Sequence, residues 1–230
     1  MLERVRSLFQ PGAAPEAQDG GARLADGFAR APLGAGVLRH SNGLSEFFKS
    51  WEQTEGRRVL DLGCTSSSNL NYFTGHGHSI HSDDLLYEAS QPRYQVRPEG
   101  DASQAPVFSP ALWLAENLRF PPDRFDGILL WDLVDYLPEP LVRPMLDRLT
   151  AILKTSGTVL AYFHTKDAGP EAPFYRYHIH DHATLQLRPG APARLQRVFN
   201  NRHVEHLFHG YRSVKFFLAR DNLREVLATK

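Results

Sequence analysis

A turn near residue 63 carries residue types that suit an anionic or sugar-bearing ligand. It runs from Asp61 to Ser68 and contains one glycine and four hydroxyl-bearing residues. Gly63 allows a ligand to approach the backbone, and the N-terminus of the helix that follows favours a carboxylate or phosphate. Asp84, after the next predicted strand, is placed to accept two hydrogen bonds from a ribose diol. The alternative is an ordinary strand-to-helix turn in which Asp84 caps a helix.

These residues are expected at the carboxyl ends of two neighbouring parallel strands. Residues 57–63 predict a strand that ends on a glycine, residues 68–73 predict the start of a helix, and residues 78–82 predict a second strand, closed by Asp83 and Asp84. This order is typical of a βαβ unit that opens an α/β sheet. Ligands bind such sheets at the carboxyl ends of the strands, so we expect a ligand site there.

The following residues continue the alternation of strands and helices. A helix is predicted over residues 44–51, before the first strand, from the helical spacing of its apolar residues. Residues 125–131 and 158–163 predict buried strands, and residues 141–153 predict the helix between them. The chain contains no internal repeat.

The last residues predict an antiparallel hairpin. Residues 213–220 and 223–229 read as strands, and Asp221 and Asn222 between them suit a two-residue turn. A helix over residues 223–227, capped by Asp221, is the alternative.

The chain divides into a predicted flexible arm over residues 1–40 and one domain over residues 41–230. Residues 10–36 are rich in Gly, Ala, Pro and Asp, and such a segment buries too little apolar surface to order itself. The whole chain has 230 residues, of which 42% are hydrophobic, enough for one domain with a core.

The composition argues against several classes of protein. No apolar run approaches the roughly 18 to 20 residues that cross a bilayer, so no membrane partner is expected. The N-terminus lacks the apolar region of a signal peptide, and the single cysteine, Cys64, cannot form an internal disulfide. A cytoplasmic location is therefore predicted.

The net charge is zero, from 26 basic and 26 acidic residues, but it is unevenly distributed. Residues 1–174 carry 16 Lys and Arg against 22 Asp and Glu, whereas residues 175–230 carry 10 against 4, so the two parts have charges of −6 and +6. The basic residues are dispersed, which argues against nucleic acid as a partner.

Three segments resemble the class I S-adenosylmethionine-dependent methyltransferases: residues 59–64, residues 115–132 and residues 149–158, together with Asp84. The resemblance covers about residues 44–165. It implies a Rossmann-like α/β fold with a seven-stranded, mostly parallel sheet, a C-terminal antiparallel hairpin, helices on both faces, and S-adenosylmethionine as cofactor.

The resemblance also implies where the cofactor would bind. Asp61 and Gly63 would border its methionine end, and Trp131 would lie near the reacting methyl group. Either of two adjacent carboxylates would hold the ribose hydroxyls, and two residues of the next segment would lie along the adenine. The implied cofactor-binding residues are Asp61, Gly63, Cys64, Thr65, Asp83, Asp84, Leu114, Ala115 and Trp131.

Three departures from the family pattern concern the same site. Thr65 and Ser67 stand where the family has its second and third motif glycines, so the backbone offers less room to a ligand. Leu114 stands in place of the acid that often bonds the adenine amine. Ser82 replaces the glycine usual before the ribose-binding acid.

Methyl transfer requires alignment of the reactants and, for some acceptors, a group that takes a proton. Asp132, Tyr136 and His164 are the candidates for that catalytic role. Each has a structural alternative: Asp132 caps the following helix, Tyr136 packs in the core, and His164 ends a strand.

Histidines cluster at His178, His180 and His182, which share one face if the segment is extended. That arrangement suits an adventitious zinc ion. His203 and His206, three apart on a predicted helix, could also pair on a metal, but without a third ligand of clear spacing we predict no functional metal.

The sequence thus favours S-adenosylmethionine-dependent methyl transfer to a small-molecule or protein acceptor. The alternative is a catalytically inactive methyltransferase-like domain that serves as a binding or scaffolding module, with the N-terminal arm contacting a protein partner. A nucleotide-binding oxidoreductase is disfavoured because no Gly-x-Gly-x-x-Gly follows the first strand.

Overall fold

The structure is a computed structural model that describes residues 36–52, 54–64, 66–97, 105–167, 169, 173–219 and 221–230. Its strands are, in chain order, β1 (Val37–His40), β2 (Arg58–Asp61), β3 (Ser79–Ser82), β4 (Gln95–Val96), β5 (Val107–Phe108), β6 (Phe125–Trp131), β7 (Leu153–His164), β8 (Pro173–Asp181), β9 (Thr184–Pro192), β10 (Ser213–Leu218) and β11 (Leu223–Thr229). Its α-helices are α1 (Asn42–Lys49), α2 (Ser67–Gly75), α3 (Leu85–Ala89), α4 (Pro110–Glu116), α5 (Glu139–Ile152) and α6 (Asn201–Leu207).

The central sheet has six strands in the order β10-β11-β7-β6-β2-β3. The four strands β3, β2, β6 and β7 are parallel to one another. Strand β11 runs antiparallel to β7, and β10 runs antiparallel to β11. This arrangement confirms the predicted Rossmann-like α/β fold and its mostly parallel sheet. The described residues supply six of the seven expected strands.

The C-terminal hairpin is also confirmed. Asn222 lies in the left-handed region with φ of 61°, a conformation that Asn tolerates in a tight turn. The alternative helix over residues 223–227 is wrong, because those residues pair with both β7 and β10 and are buried between them.

Helices cover both faces of the central sheet. On one face, α5 contributes six buried apolar residues to the larger core. On the other, α1 packs Leu44 and Phe47 against a second core that includes Leu129 and Leu160 of the sheet. Because β6 is buried along its whole length, its side chains serve the two cores alternately.

A separate antiparallel sheet, in the order β1-β9-β8, packs over the second core and was not predicted. The predicted arm boundary at residue 40 is therefore wrong for residues 37–40, which form β1. These residues gain backbone hydrogen bonds from β9, a partner far along the chain, so their own composition carries no signal for a strand. Residues 1–35 of the predicted arm lie outside the described residues.

A buried ion cluster fastens β1 to the central sheet. Arg39 donates from Nη1 to Glu225 Oε1 at 2.5 Å and from Nε to Asp221. The other Glu225 oxygen accepts hydrogen bonds from Ser41 Oγ at 3.0 Å and from the Gly43 amide at 2.5 Å. The second sheet is thus anchored through β1.

Among the described helices, none has the length and apolarity needed to cross a membrane.

Candidate functional site at the strand ends

Asp61 is the buried carboxylate at the carboxyl end of β2. Its Oδ1 accepts from Trp131 Nε1 at 2.6 Å and from the Gly63 amide at 3.3 Å, while its Oδ2 accepts from Asn69 Nδ2 at 2.8 Å. Burial raises the pKa of Asp61, and these three hydrogen bonds oppose the shift. Asp61 therefore joins β6 and α2 to the predicted ligand turn.

Trp131, at the end of β6, occupies the space beside Gly63. Its backbone lies in the left-handed region, with φ of 49°, which is rare for a bulky residue and marks local strain. A Cβ on residue 63 would lie 2.6 Å from Trp131 Cδ1. The sequence predicts that Gly63 admits a ligand to the backbone, whereas in the structure the glycine admits the indole of Trp131.

Tyr177 of β8 stacks on that indole. The two rings are parallel to within 3°, and their centroids are 5.0 Å apart. Such aromatic pairs contribute about 0.5 to 1.5 kcal/mol beyond the area they bury. The Trp131 ring is thus held between Gly63 and Tyr177.

Asp84 caps helix α3. Its Oδ1 accepts from the Tyr87 amide at 3.0 Å, and its Oδ2 accepts from Cys64 Sγ at 2.9 Å. Burial, together with Asp84, raises the pKa of the Cys64 thiol to about 11, so the thiol is protonated at neutral pH. Both oxygens of the predicted ribose-binding acid are therefore already bonded within the chain.

The remaining predicted cofactor residues are more dispersed. Asp83 is half-buried, burial raises its pKa, and its amide bonds the Asp61 carbonyl at 2.9 Å. Leu114 packs partly buried against the larger core, and Ala115 is exposed on α4; neither lines the cleft beside Gly63. Thr65 lies outside the described residues.

The cleft at the strand ends is nearly filled by these side chains. Its volume is about 10 Å³, which is the size of one water molecule. Pockets for ligands of nucleoside size and above measure roughly 300 to 1,000 Å³. The residues of the predicted cofactor site are present, but in this conformation they do not fit S-adenosylmethionine. The lining residues are Leu62, Gly63, Cys64, Asp84, Leu86, Trp131, Leu133, Phe174, Tyr175, Arg176 and Tyr177.

The three predicted catalytic residues lie together at the ends of β6 and β7. The rings of Tyr136 and His164 meet edge to face, with centroids 5.8 Å apart. Asp132 is fully buried and interacts electrostatically with both. Burial, reinforced by nearby Asp135 and opposed by His164, raises the pKa of Asp132 to about 7. Asp132 therefore changes charge within the physiological pH range.

Asp135 is the residue of this cluster that the sequence reasoning missed. Its Oδ2 accepts from His164 Nδ1 at 2.9 Å and from the His164 amide at 2.6 Å. Burial lowers the pKa of His164, but the hydrogen bond to Asp135 and the negative charges of Asp132, Asp135 and Asp221 together outweigh that effect and leave the pKa raised. Because Nδ1 is bonded to Asp135, the Nε2 atom is the ring nitrogen left for an acceptor. A second carboxylate three residues after Asp132 was the available signal.

Asn69 was missed as well, and it ties β8 to the site. Besides bonding Asp61, its Nδ2 donates to the Tyr177 carbonyl at 3.1 Å, and its Oδ1 accepts from the Ile179 amide at 2.7 Å. His178 Nδ1 lies 2.7 Å from Ser66 Oγ. In the part of the chain that the structure describes, no group of three or more metal-ligating side chains is placed to hold a metal ion.

Comparison with known proteins gives one family match. A family model described as a methyltransferase domain matches residues 35–211. No curated protein sequence matches the chain.

Several solved structures resemble the chain at low identity. One is the 1,6-didemethyltoxoflavin-N1-methyltransferase of Burkholderia thailandensis, with bound 1,6-didemethyltoxoflavin and S-adenosylhomocysteine, at 15% identity and a TM-score of 0.45, covering 82% of this chain and 76% of that one. Another is an S-adenosylmethionine-dependent methyltransferase of Archaeoglobus fulgidus, at 13% identity and a TM-score of 0.45, covering 81% of this chain and 93% of that one.

Proposed function

Because this chain belongs to the methyltransferase domain family, among the class I S-adenosylmethionine-dependent methyltransferases, we propose that it methylates a small-molecule acceptor held beside Asp132 and His164. The family gives the reaction class and the cofactor. The acceptor class is inferred from the restricted access to this group: Asp132 and Asp135 have no exposed surface, and His164 exposes 12% of its side chain. A small molecule can enter such a site more readily than a side chain of a folded protein.

The observation that supports this function is the hydrogen-bonded pair of His164 and Asp135 at the end of β7. Asp135 fixes the imidazole orientation and leaves Nε2 as the atom that takes a proton from the acceptor. Holding a charged imidazole is favourable there, because the buried Asp135 carboxylate compensates the charge. This is the geometry of a base with an orienting partner.

Asp132 provides the electrostatic setting of the same pair. With a pKa of about 7, it is protonated in part at neutral pH. Ionised Asp132 favours the protonated form of His164, and protonated Asp132 can donate a hydrogen bond to an acceptor oxygen. The Tyr136 ring packs edge to face against the His164 imidazole. Because burial raises the pKa of Tyr136, its hydroxyl stays neutral.

Titration calorimetry with S-adenosylhomocysteine tests the proposed function. Saturable binding at one site per chain is expected, and His164→Gln, which leaves the strand-end turn intact, should retain it. A methyl-transfer assay is then run on fractionated small-molecule extracts. The wild-type chain should produce S-adenosylhomocysteine from S-adenosylmethionine with one of the fractions, and His164→Gln should not. Failure of the wild-type chain to bind at millimolar ligand would overturn the proposal and assign the fold to the inactive binding module.

A further inference from the structure

The strand-end cleft is closed by the chain's own side chains. The Trp131 indole fills the space beside Gly63, and Tyr177 lies flat against it. The backbone strain at Trp131 shows that this ring position is held at some energetic cost. What remains of the cleft, about 10 Å³, excludes any ligand larger than water.

Strand β8 carries Tyr177 and belongs to the second sheet. Among the described strands, β8 pairs with β9 alone, so it shares no backbone ladder with the central sheet. One edge of β8 is bonded to the side chain of Asn69 instead of to a neighbouring strand. Asn69 donates to the Tyr177 carbonyl and accepts from the Ile179 amide. Besides the apolar packing of β8 on the second core, the polar contacts that keep β8 over the cleft are therefore made by a few side chains.

Asn69 also bonds Asp61 at the end of β2. One amide side chain thus bonds the carboxylate at the end of β2 and the backbone of β8 at once. Asp61 bonds Trp131 in turn. Moving β8 away from the cleft disturbs Asn69 directly, and through Asn69 it frees Asp61, the acceptor that keeps Trp131 beside Gly63.

We propose that Asn69, Trp131 and Tyr177 form a latch that holds the cofactor cleft shut, and that the adenosyl cofactor binds only after β8 has moved and the indole has left Gly63. The identity of the ligand rests on the proposed function. The closed state rests on the contacts described above and does not depend on that function. Opening leaves the main anchor of the second sheet in place, because the Arg39 and Glu225 pair holds β1 rather than β8.

A closed state that competes with binding weakens the apparent affinity by the fraction of open molecules. Losing the aromatic stack or the two Asn69 bonds to β8 should therefore tighten S-adenosylhomocysteine binding by about threefold to tenfold. Asn69→Ala and Tyr177→Ala are the two variants. Asn71→Ala on the same helix and Tyr87→Ala, both exposed positions, are the matched controls.

Two readouts separate the latch from the proposed function. Hydrogen exchange on the unliganded protein should quicken at the Ile179 amide in Asn69→Ala and over β8 in Tyr177→Ala, with no change in the controls. Calorimetry should show the tighter binding in both variants. Where the wild type binds, equal or weaker affinity in the two variants would overturn the latch, whatever the exchange rates. Faster exchange with no binding in any chain would support the latch and overturn the proposed function.

Discussion

The indole of Trp131 donates a 2.6 Å hydrogen bond to the carboxylate of Asp61, joining the ends of two adjacent parallel strands. In the strand-end sites of α/β sheets, that space is where a ligand approaches the backbone. Here the indole of Trp131 occupies that space, and its Nε1 is the donor to Asp61.

Trp131→Phe should destabilise the fold by about 1 to 3 kcal/mol, because a buried carboxylate loses a donor. Trp113→Phe is the matched control, since Trp113 is fully buried and its Nε1 has no hydrogen-bond partner among the described residues. Urea unfolding of both variants measures the difference. If the two substitutions cost the same, the bond to Asp61 contributes nothing beyond packing.

Asp132→Asn should stabilise the protein at pH 8 and leave it unchanged near pH 4. The folded-state pKa of about 7 lies above the ordinary value of 3.8, so wild-type stability falls as pH rises between these two values. The full difference is about 4 kcal/mol, at 1.36 kcal/mol for each pKa unit. His164, Asp135 and Tyr136 face the same carboxylate and modulate the transition.

Urea unfolding at pH 4, 6 and 8 measures the effect of Asp132→Asn. Asp147→Asn, at an exposed carboxylate paired with Arg143, is the control and should give a small, constant difference. A pH-independent difference for Asp132→Asn would mean that Asp132 is ionised throughout.

Asp135→Asn should lower the pKa of His164, because the imidazole loses its carboxylate partner while the burial that opposes its charged form remains. The stability that charged His164 contributes is present below the unfolded pKa and is lost as pH rises through the folded one, so the variant should lose stability on the acidic side. NMR titration of the imidazole, assigned with His164→Gln, measures the shift. Asp123→Asn, at an exposed carboxylate, should leave it unchanged.

Arg39→Met should cost about 3 to 5 kcal/mol, because it leaves the buried Glu225 carboxylate without its cation. Lys215→Met removes an exposed partner of Glu46 and should cost less than about 1 kcal/mol. Thermal unfolding of both variants at low and high salt distinguishes the two ion pairs. Similar losses in both would show that the β1 anchor is no stronger than a surface pair.

The central sheet could be predicted because its signals are local. Residues 127–131 and 159–163 are continuous apolar runs, as expected for strands buried on both faces, and Asp221 with Asn222 specifies a turn by its own chemistry. The second sheet could not be predicted in the same way. Strand β1 has four residues and pairs with residues 184–187, so its conformation depends on a distant partner.

The site was predicted in part, for the same reason. Asp132, Tyr136 and His164 follow strands whose carboxyl ends meet, so their proximity follows from topology. The bond between His164 and Asp135 depends on a short turn over residues 133–135, which no periodic pattern announces. The position of the Trp131 ring depends on the positive φ of this residue. A bulky residue such as Trp rarely has a positive φ, so the sequence gives no reason to expect it.

The ion pair that fastens β1 also constrains the order in which the protein can assemble. Arg39 and Glu225 are 186 positions apart, so during synthesis Arg39 leaves the ribosome long before its partner is made. At about 5 to 20 residues per second, that interval lasts roughly 9 to 37 seconds. For most of it, until residues 184–187 of β9 have been made, β1 has neither its partner strand nor its anchor, and its edge is open to pairing with other chains. A chaperone that shields the nascent N-terminal segment should therefore raise the yield of folded protein.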